Sequence, residues 1–426
     1  MRFAEALAEL NGRQPERMVP DLSRITALAE LLGDPQLTYP TIHVTGTNGK
    51  TTTARLTTAL ACAHGMPSGL YTSPHLLSVT ERISVCLEDM TEDEFAEEYE
   101  RLLPYLMTVD AKGTRVTYFE TLTALAYVWF SDKPVSVGVF EVGMGGAWDA
   151  TNLVAGDVAV LCPIALDHPE LGSTVGEIAS EKAGIIKPGK IAVVREQTRE
   201  ALEVIEPRCA EFEVTLLLED RDWGVAERRV AVGGQTVTVQ GVKAEYRDIL
   251  LPLYGEHAAR NAAAAIVALE AFLDRPLSEQ ATGKALGGVS SPGRIEVISR
   301  RPLLILDGAH NPAGAQALAQ ALPEAFTWDR LHLVIGVSAN KDVEGIVSVL
   351  GPMATRAFAT RNTSDRSADN ERIASALEMA GVPTERSGSV EAAIAAARAE
   401  AGERDLILVT GSLYTVADAR RALEAP

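Results

Sequence analysis

The stretch TIHVTGTNGKTTT sets Gly46-Thr47-Asn48-Gly49-Lys50-Thr51 directly between a short apolar run and a helical pattern. Glycines let backbone N–H groups close around phosphate oxygens, and a helix N-terminus favours the anion. Thr47, Asn48 and Gly49 would line such a loop, Lys50 would neutralise phosphate charge, and Thr51 would approach a magnesium ion. The standard phosphate-loop spacing puts its first glycine where this chain has Val44. A glycine turn with a solvated lysine is the plain alternative, and the strand running straight into Gly-Lys-Thr argues against it. Two further apolar runs, VSVGVFEVGMGG and DVAVLCPIALDH, deliver Glu141 and His168 at or just past their ends. In an open parallel sheet those ends share one rim, so carboxylate and imidazole can converge on a metal–nucleotide site. Either residue alone would read as a cap or a surface group; with the loop beside them the metal reading is the better one.

Other positions carry weaker signals. In YTSPHL, Ser73 or His75 can reach the same rim, although a turn-forming Ser-Pro is equally consistent. Lys182, in ASEKAGIIKPGK, reads by spacing as a solvated charge at the C-terminus of a short helix. LLILDGAHNPAG opens a later strand into a polar turn: Asp307 suits a ribose hydroxyl, and His310 suits a phosphate or an incoming group. Taken alone, that turn would be an Asp-Gly turn with a satisfied histidine. Arg294, in SPGRIE, can clamp phosphate bidentately across a cleft, where a surface arginine is the ordinary alternative.

Positioning these residues takes a parallel sheet covered by helices, and the chain shows that rhythm from about residue 41 onward. We expect strands at 41–45, 135–142, 157–163 and 191–194, with helices at 51–64 and 117–130. Alternation in RRVAVGGQTVTVQ predicts an antiparallel hairpin added at an edge, and 256–273 an alanine-rich helix. GGVSSPGR, from Gly287, is the expected linker. Strands then recur at 303–306, 331–337, 356–360 and 405–409. The fold class is therefore α/β: a P-loop domain with a parallel-rich sheet over 1–290, and a smaller α/β domain over 295–426.

The bulk numbers agree with that picture. A chain of 426 residues, 46% hydrophobic and 23% charged, has material for two ordinary domains. A formal charge of -19 repels a phosphate backbone from most of the surface, so no nucleic-acid partner is expected. Cys62, Cys86, Cys162 and Cys209 lack C-x-x-C spacing and read as buried thiols, with neither a disulfide nor a zinc site. Glu5, Glu9 and Glu16 interrupt the N-terminal apolar residues, which argues against a secretory signal, and no run spans a membrane. We expect a cytoplasmic monomer that acts on small molecules.

These motifs together resemble the folylpolyglutamate synthase and dihydrofolate synthase family, relatives of the Mur ligases. GTNGKT, TSPHL, ERI, YFETLT, EVGMGG followed by DATN, EKAGI, PGRIE, LDGAHNP and GSLY occur in the family's order between Gly46 and Tyr414. The resemblance implies a Mur-ligase-type ATPase domain joined to a Rossmann-like glutamate ligase domain, with ATP between them. It implies that Ser73, Glu141 and His168 hold magnesium, that Lys182 is carbamylated, and that Asn261, Arg294, Asp307 and His310 contact ATP. Thr117, Tyr118, Phe119 and Glu120, with Trp148, Asp149 and Ala150, match positions near the pterin substrate. Two departures stand out. Ala147 and Trp148 replace the family's arginine and leucine, and the loop from Asp167-His168 to Leu171-Gly172 is one residue short.

The chemistry so implied is ATP-dependent. Lys50 and two magnesium ions would neutralise the transferring phosphoryl group while a carboxylate becomes an acyl phosphate, which the glutamate amine then attacks. Lys182 and His310 join Lys50 as the side chains expected to carry the reaction. The acceptor is dihydropteroate, folate or both. A Mur-type amino-acid ligase is one alternative, although only about 40 residues precede the loop, below a usual domain. A regulatory P-loop NTPase without ligase activity is the other.

Overall fold

The computed structural model describes residues 1–15, 19–167 and 169–424. The chain divides into two compact units, and each is described by itself. The first comprises Met1–Glu227, Val237–Ile249 and Arg260–Val289; the second comprises Arg228–Thr236, Leu250–Ala259 and Ser290–Pro426.

The first unit is built on an eight-stranded sheet. Its strands are β1 (Thr41–Thr45), β2 (Ser68–Tyr71), β3 (Ile83–Val85), β4 (Glu88–Asp89), β5 (Val137–Glu141), β6 (Val158–Leu161), β7 (Ile191–Val194) and β8 (Thr215–Leu218), in the spatial order β4-β3-β2-β5-β1-β6-β7-β8. From β2 to β8 every neighbouring pair is parallel, whereas β3 and β4 are antiparallel additions. β1 is fully buried between β5 and β6, which explains its unbroken run of interior positions. The chain adds β2 and β5 on one side of it and β6, β7 and β8 on the other, so the crevice outside its C-terminal end is the position where open α/β sheets bind ligands.

The helices that touch or complete this region are α1 (Phe3–Asn11), α2 (Ser23–Leu31), α3 (Lys50–Ala63), α4 (Glu92–Asp110), α5 (Tyr118–Asp132), α6 (Val175–Lys182), α7 (Arg199–Glu211), α8 (Glu256–Leu273) and α9 (Glu279–Gly287). Helix α3 is rich in β-branched threonine, a poor helix former. Burial of Ala54, Leu56, Leu60 and Ala61 against β2, β5 and α9 holds it, and Thr57 donates back to the Thr53 carbonyl at 2.8 Å. Helix α5 starts on a capping box, with Thr117 accepting from the Glu120 amide and Glu120 accepting from the Thr117 amide. An aromatic cluster of Tyr71, Tyr127, Phe130 and Phe140 joins α5 to the sheet.

Two expectations are corrected here. The hairpin of 228–240 is not an edge of the large sheet. β9 (Gly224–Ala231) and β10 (Gly234–Gln240) form a separate three-stranded sheet with β11 (Glu245–Leu251). The left-handed Asp220 (φ 63) turns the chain back at the end of β8, closed by its amide on the Trp223 carbonyl at 2.8 Å. Secondly, Cys62 and Cys86 are not separate thiols but a disulfide, with Cα atoms 5.7 Å apart. The antiparallel pairing of β2 with β3 brings the β3–β4 turn under the last turn of α3, a proximity that 24 residues of sequence conceal. Cys162 and Cys209 are buried thiols, as expected.

The second unit holds a six-stranded sheet in the order β12-β13-β17-β14-β15-β16. Its strands are β12 (Glu296–Arg300), β13 (Leu303–Leu306), β14 (Leu331–Ile335), β15 (Arg356–Thr360), β16 (Thr384–Ser387) and β17 (Leu406–Thr410), all parallel except β12. Helices α10 (Pro312–Ala325), α11 (Val343–Leu350), α12 (Asn370–Met379), α13 (Val390–Glu400) and α14 (Leu413–Glu424) complete it. The expected class, a parallel-rich α/β domain with a second α/β domain, is the observed one. Among the described residues no helix is long and apolar enough to cross a membrane.

Candidate functional site

The phosphate loop is a strand-to-helix turn whose glycines cannot be replaced freely. Gly46 has φ 142, and a Cβ there would lie 2.6 Å from the Cys162 Cβ just past the end of β6; Gly49 has φ 91, and a Cβ there would lie 2.7 Å from Asn261 Oδ1. The Thr47 amide donates to the Pro163 carbonyl at 2.9 Å, and its hydroxyl pairs with the Ala165 backbone at 3.0 Å. Together these bonds pin the loop to the end of β6. Lys50 opens α3 and folds back over the loop, donating to the carbonyls of Gly46 (3.0 Å) and Thr47 (3.3 Å).

Glu141 ends β5 and is buried. Its Oε1 accepts from the Thr51 hydroxyl at 2.8 Å, and its Oε2 from the Ser73 amide at 3.3 Å. Ser73 therefore meets Glu141 through its backbone. His168 lies outside the described residues. Among those that are described, no three His, Cys, Asp or Glu side chains form a metal-binding group. The oxygen donors that are gathered, the Glu141 carboxylate with the Thr51 hydroxyl, are hard ligands that fit magnesium, an ion usually held by one or two carboxylates plus phosphate and water.

Lys182 overturns the solvated reading that its spacing invited. It is 4% exposed and donates to the Gly46 carbonyl at 2.9 Å. Burial, reinforced by the nearby charge of Lys50, pulls its pKa down to about 7. A cavity joins it to the loop, lined by Gly46, Thr47, Lys50, Gly143, Met144 and Asp167 among others.

The positions near the expected pterin are structurally committed. Asp149 is buried and caps the turn that follows it, accepting from the Thr151 hydroxyl (2.6 Å), the Thr151 amide (3.0 Å) and the Met144 amide (2.9 Å). Burial raises its pKa against these bonds. Phe119 and Asp149 meet at Gly143, where a Cβ would come within 2.5 Å of the ring and 3.2 Å of the carboxylate. Glu120 pairs with Arg24 at 2.9 Å, and the Arg82 guanidinium lies 5.5 Å from the Tyr118 ring centre. Trp148 donates its amide to Glu181 at 3.1 Å, while the Ala150 carbonyl accepts from Tyr127 at 2.7 Å.

In the second unit, Arg294, Asp307 and His310 gather at the C-terminal end of β13. Asp307 accepts from the amides of Ile295 (2.9 Å) and Ala309 (2.8 Å), and burial raises its pKa against the pull of Arg294. A Cβ at Gly308 would lie 2.2 Å from Arg294 Nη1, so only glycine lets the guanidinium cross there. His310 Nδ1 is 2.9 Å from the Gly308 carbonyl and donates to it.

Comparison with known proteins gives this arrangement its relatives. Residues 44–269 match the Mur ligase middle domain, and residues 293–413 match the Mur ligase glutamate ligase domain. The chain is 42% identical over 385 residues to the dihydrofolate synthase/folylpolyglutamate synthase of Mycobacterium tuberculosis, covering 86% of this chain and 79% of that one. It is 33% identical to the folylpolyglutamate synthase of Lacticaseibacillus casei over 99% of both chains. The chain belongs to the folylpolyglutamate synthase/dihydrofolate synthase family of Mur ligases. In structure it matches the M. tuberculosis folylpolyglutamate synthase complexed with ADP with a TM-score of 0.96 and 38% identity, covering 100% of this chain and 98% of that chain.

Against the family pattern, this Mur ligase relative carries Ala147 where arginine is usual. The position is tight: a Cβ at Gly184 would lie 2.4 Å from the Ala147 Cα, and the Ala147 carbonyl accepts from Asn152 at 2.9 Å. Sequence reasoning missed Arg195, which donates to Asn261, and Glu219, which accepts from Arg195. The available signal was their place just past the ends of β7 and β8, on the same rim as Glu141.

Proposed function

We propose that this chain is an ATP-dependent ligase that joins L-glutamate to a folate-type carboxylate, acting on dihydropteroate, on folate, or on both. The observation that carries the reading is the Lys50 loop, adjoined by Thr51 and Glu141, in a chain whose matched residues span both Mur ligase domains. The ADP held by the M. tuberculosis relative supports ATP as the phosphoryl donor.

A carboxylate and an amine do not condense in water, because oxide is a poor leaving group and the amine is protonated. Attack of the substrate carboxylate oxygen on the γ-phosphorus makes a new O–P bond and releases ADP. The glutamate nitrogen then bonds to the acyl carbon, phosphate leaves with the C–O electron pair, and the amine proton passes to solvent. Lys50 neutralises charge on the transferring phosphoryl group, and the backbone amides of residues 46–51 orient it. Magnesium, which Ser73, Glu141 and His168 would hold with the Thr51 hydroxyl beside them, would supply further charge neutralisation when bound. Asn261 contacts the nucleotide in the first unit, a role the resemblance also gives to Arg294, Asp307 and His310 of the second, and residues 117–120 and 148–150 are the pterin positions.

Lys182 acts as its carbamate. A neutral amine is what adds to carbon dioxide, forming an N–C bond and releasing a proton, and a pKa of about 7 leaves much of Lys182 neutral near neutral pH. The anion so formed would help order the metal. NMR after 13C-bicarbonate addition should show a carbamate signal that Lys182→Met abolishes.

Glutamate-dependent ADP release, assayed with dihydropteroate and separately with tetrahydrofolate, tests the whole reading. Turnover with either acceptor supports it and assigns the acceptor. ATP hydrolysis indifferent to glutamate would instead favour a regulatory NTPase, and dependence on another amino acid would favour a Mur-type ligase.

A further inference from the structure

We infer that Arg195, braced by Glu219, is a positioning residue that fixes which end of the Asn261 amide faces the nucleotide; the inference rests on the reading of the loop as an ATP site. Arg195 follows β7 and is 4% exposed. Its Nε donates to Glu219 Oε2 at 2.8 Å, and its Nη1 donates to Asn261 Oδ1 at 2.5 Å. Glu219 in turn accepts from the Glu196 amide at 2.6 Å and from Arg260 Nη1 at 3.2 Å. A fully buried carboxylate gripped from three sides holds the guanidinium in one place.

The chemistry of the amide does the rest. An asparagine side chain offers an acceptor at one end and two N–H donors at the other, and a guanidinium can only donate. Arg195 therefore captures the oxygen, and Nδ2 is presented on the opposite side. That amide lies against the phosphate loop: a Cβ at Gly49 would be 2.7 Å from Oδ1 and 3.3 Å from Nδ2. With the orientation fixed before ligand arrives, the donor end is ready for an acceptor on the nucleotide at no cost in side-chain ordering. Without Arg195 the amide can flip and offer oxygen to an anion.

The test is magnesium–ADP affinity of the full chain by calorimetry, with glutamate-dependent ADP release as a separate arm and thermal unfolding as the check on folding. Arg195→Met should weaken ADP binding about tenfold in the natural background and less than about twofold in an Asn261→Ala background, since the effect passes through Asn261. Arg195→Lys, which keeps a donor, should recover part of the loss. Asn261→Asp separates positioning from packing: the carboxylate keeps its bond to Arg195 but offers oxygen where Nδ2 donated. Its unfolding temperature should hold or rise while ADP binding weakens at least tenfold.

Equal weakening by Arg195→Met in both backgrounds would overturn the inference, as would unchanged ADP affinity in Asn261→Asp. A natural chain that binds no ADP overturns both the inference and the ligase reading. One that binds ADP but shows no glutamate-dependent turnover overturns the ligase reading alone.

Discussion

Lys50 and Lys182 donate to the same acceptor, the Gly46 carbonyl, at 3.0 and 2.9 Å. One lysine comes from the first turn of α3 and the other from the last residue of α6. Two ammonium groups sharing one oxygen repel each other, which adds to the burial that pulls the Lys182 pKa down to about 7. A lowered pKa suits the role proposed for Lys182, a neutral nucleophile toward carbon dioxide, beside the phosphate-facing role proposed for Lys50.

Removing Lys50 should abolish turnover without unfolding the chain. Lys50→Ala is expected to cut glutamate-dependent ADP release by roughly a thousandfold or more, as loss of a charge that meets the transferring phosphoryl group should. An unchanged unfolding temperature with lost activity is the expected pair of readings; near-normal turnover would remove Lys50 from the mechanism.

Lys182 should make stability depend on alkaline pH. Its folded pKa is depressed to about 7 from a usual 10.5, so between those values the unfolded chain holds a proton that the folded chain does not. Stability from this group therefore falls as pH drops from about 10.5 to about 7, and is level below. Lys182→Met should stabilise the protein at pH 7 by a few kcal/mol, since each tenfold loss of proton affinity on folding is worth about 1.4 kcal/mol, and by little near pH 10.5. Urea unfolding of both proteins across this window, in carbonate-free buffer, checks the sign. In a Lys50→Ala background the window should narrow, because Lys50 contributes to the depression.

Gly46→Ala should be far costlier than Gly33→Ala, although both glycines have positive φ. At Gly33 nothing lies within 4 Å of an added Cβ, whereas at Gly46 the new carbon would sit 2.6 Å from Cys162. Backbone strain of about 1 kcal/mol is common to both. Only Gly46→Ala should also lose ADP affinity, which calorimetry beside denaturation would reveal.

Breaking the Cys62–Cys86 link should lower the unfolding temperature while leaving the fold intact. A closed loop of 24 residues restrains the unfolded chain by about 3 kcal/mol in the chain-entropy model. Cys86→Ser and dithiothreitol treatment of the unaltered protein should then have equal effects; a larger effect of the substitution would point to lost packing at the β3–β4 turn.

What was legible in the sequence follows from how local its cause is. The bounds of β1, β7, β13, β15 and α8 are those expected, because a short apolar run closed by glycine or a charge, or a long alanine-rich stretch, declares itself within a few residues. The Lys50 loop and the rim position of Glu141 were readable for the same reason. β2, as Ser-Gly-Leu-Tyr, is too short and too glycine-rich to stand out, and β3 and β4 exist only by pairing beside it. The disulfide, the burial of Lys182 and the grip of Arg195 on Asn261 depend on contacts across 24, 136 and 66 residues, which no window of sequence contains. Resemblance supplied Asn261 and the special status of Lys182; spacing alone could not.

The central place of β1 has one more consequence. Its ladder is bonded on both sides, Thr41–Val44 to β5 and Ile42–Thr45 to β6, so its amides can open only when the whole unit comes apart. The turn that cradles phosphate is thus suspended from a strand whose amides should be among the slowest to exchange. Deuterium uptake there should lag behind every helix, and nucleotide should change it little, because the cradle is already set when it arrives.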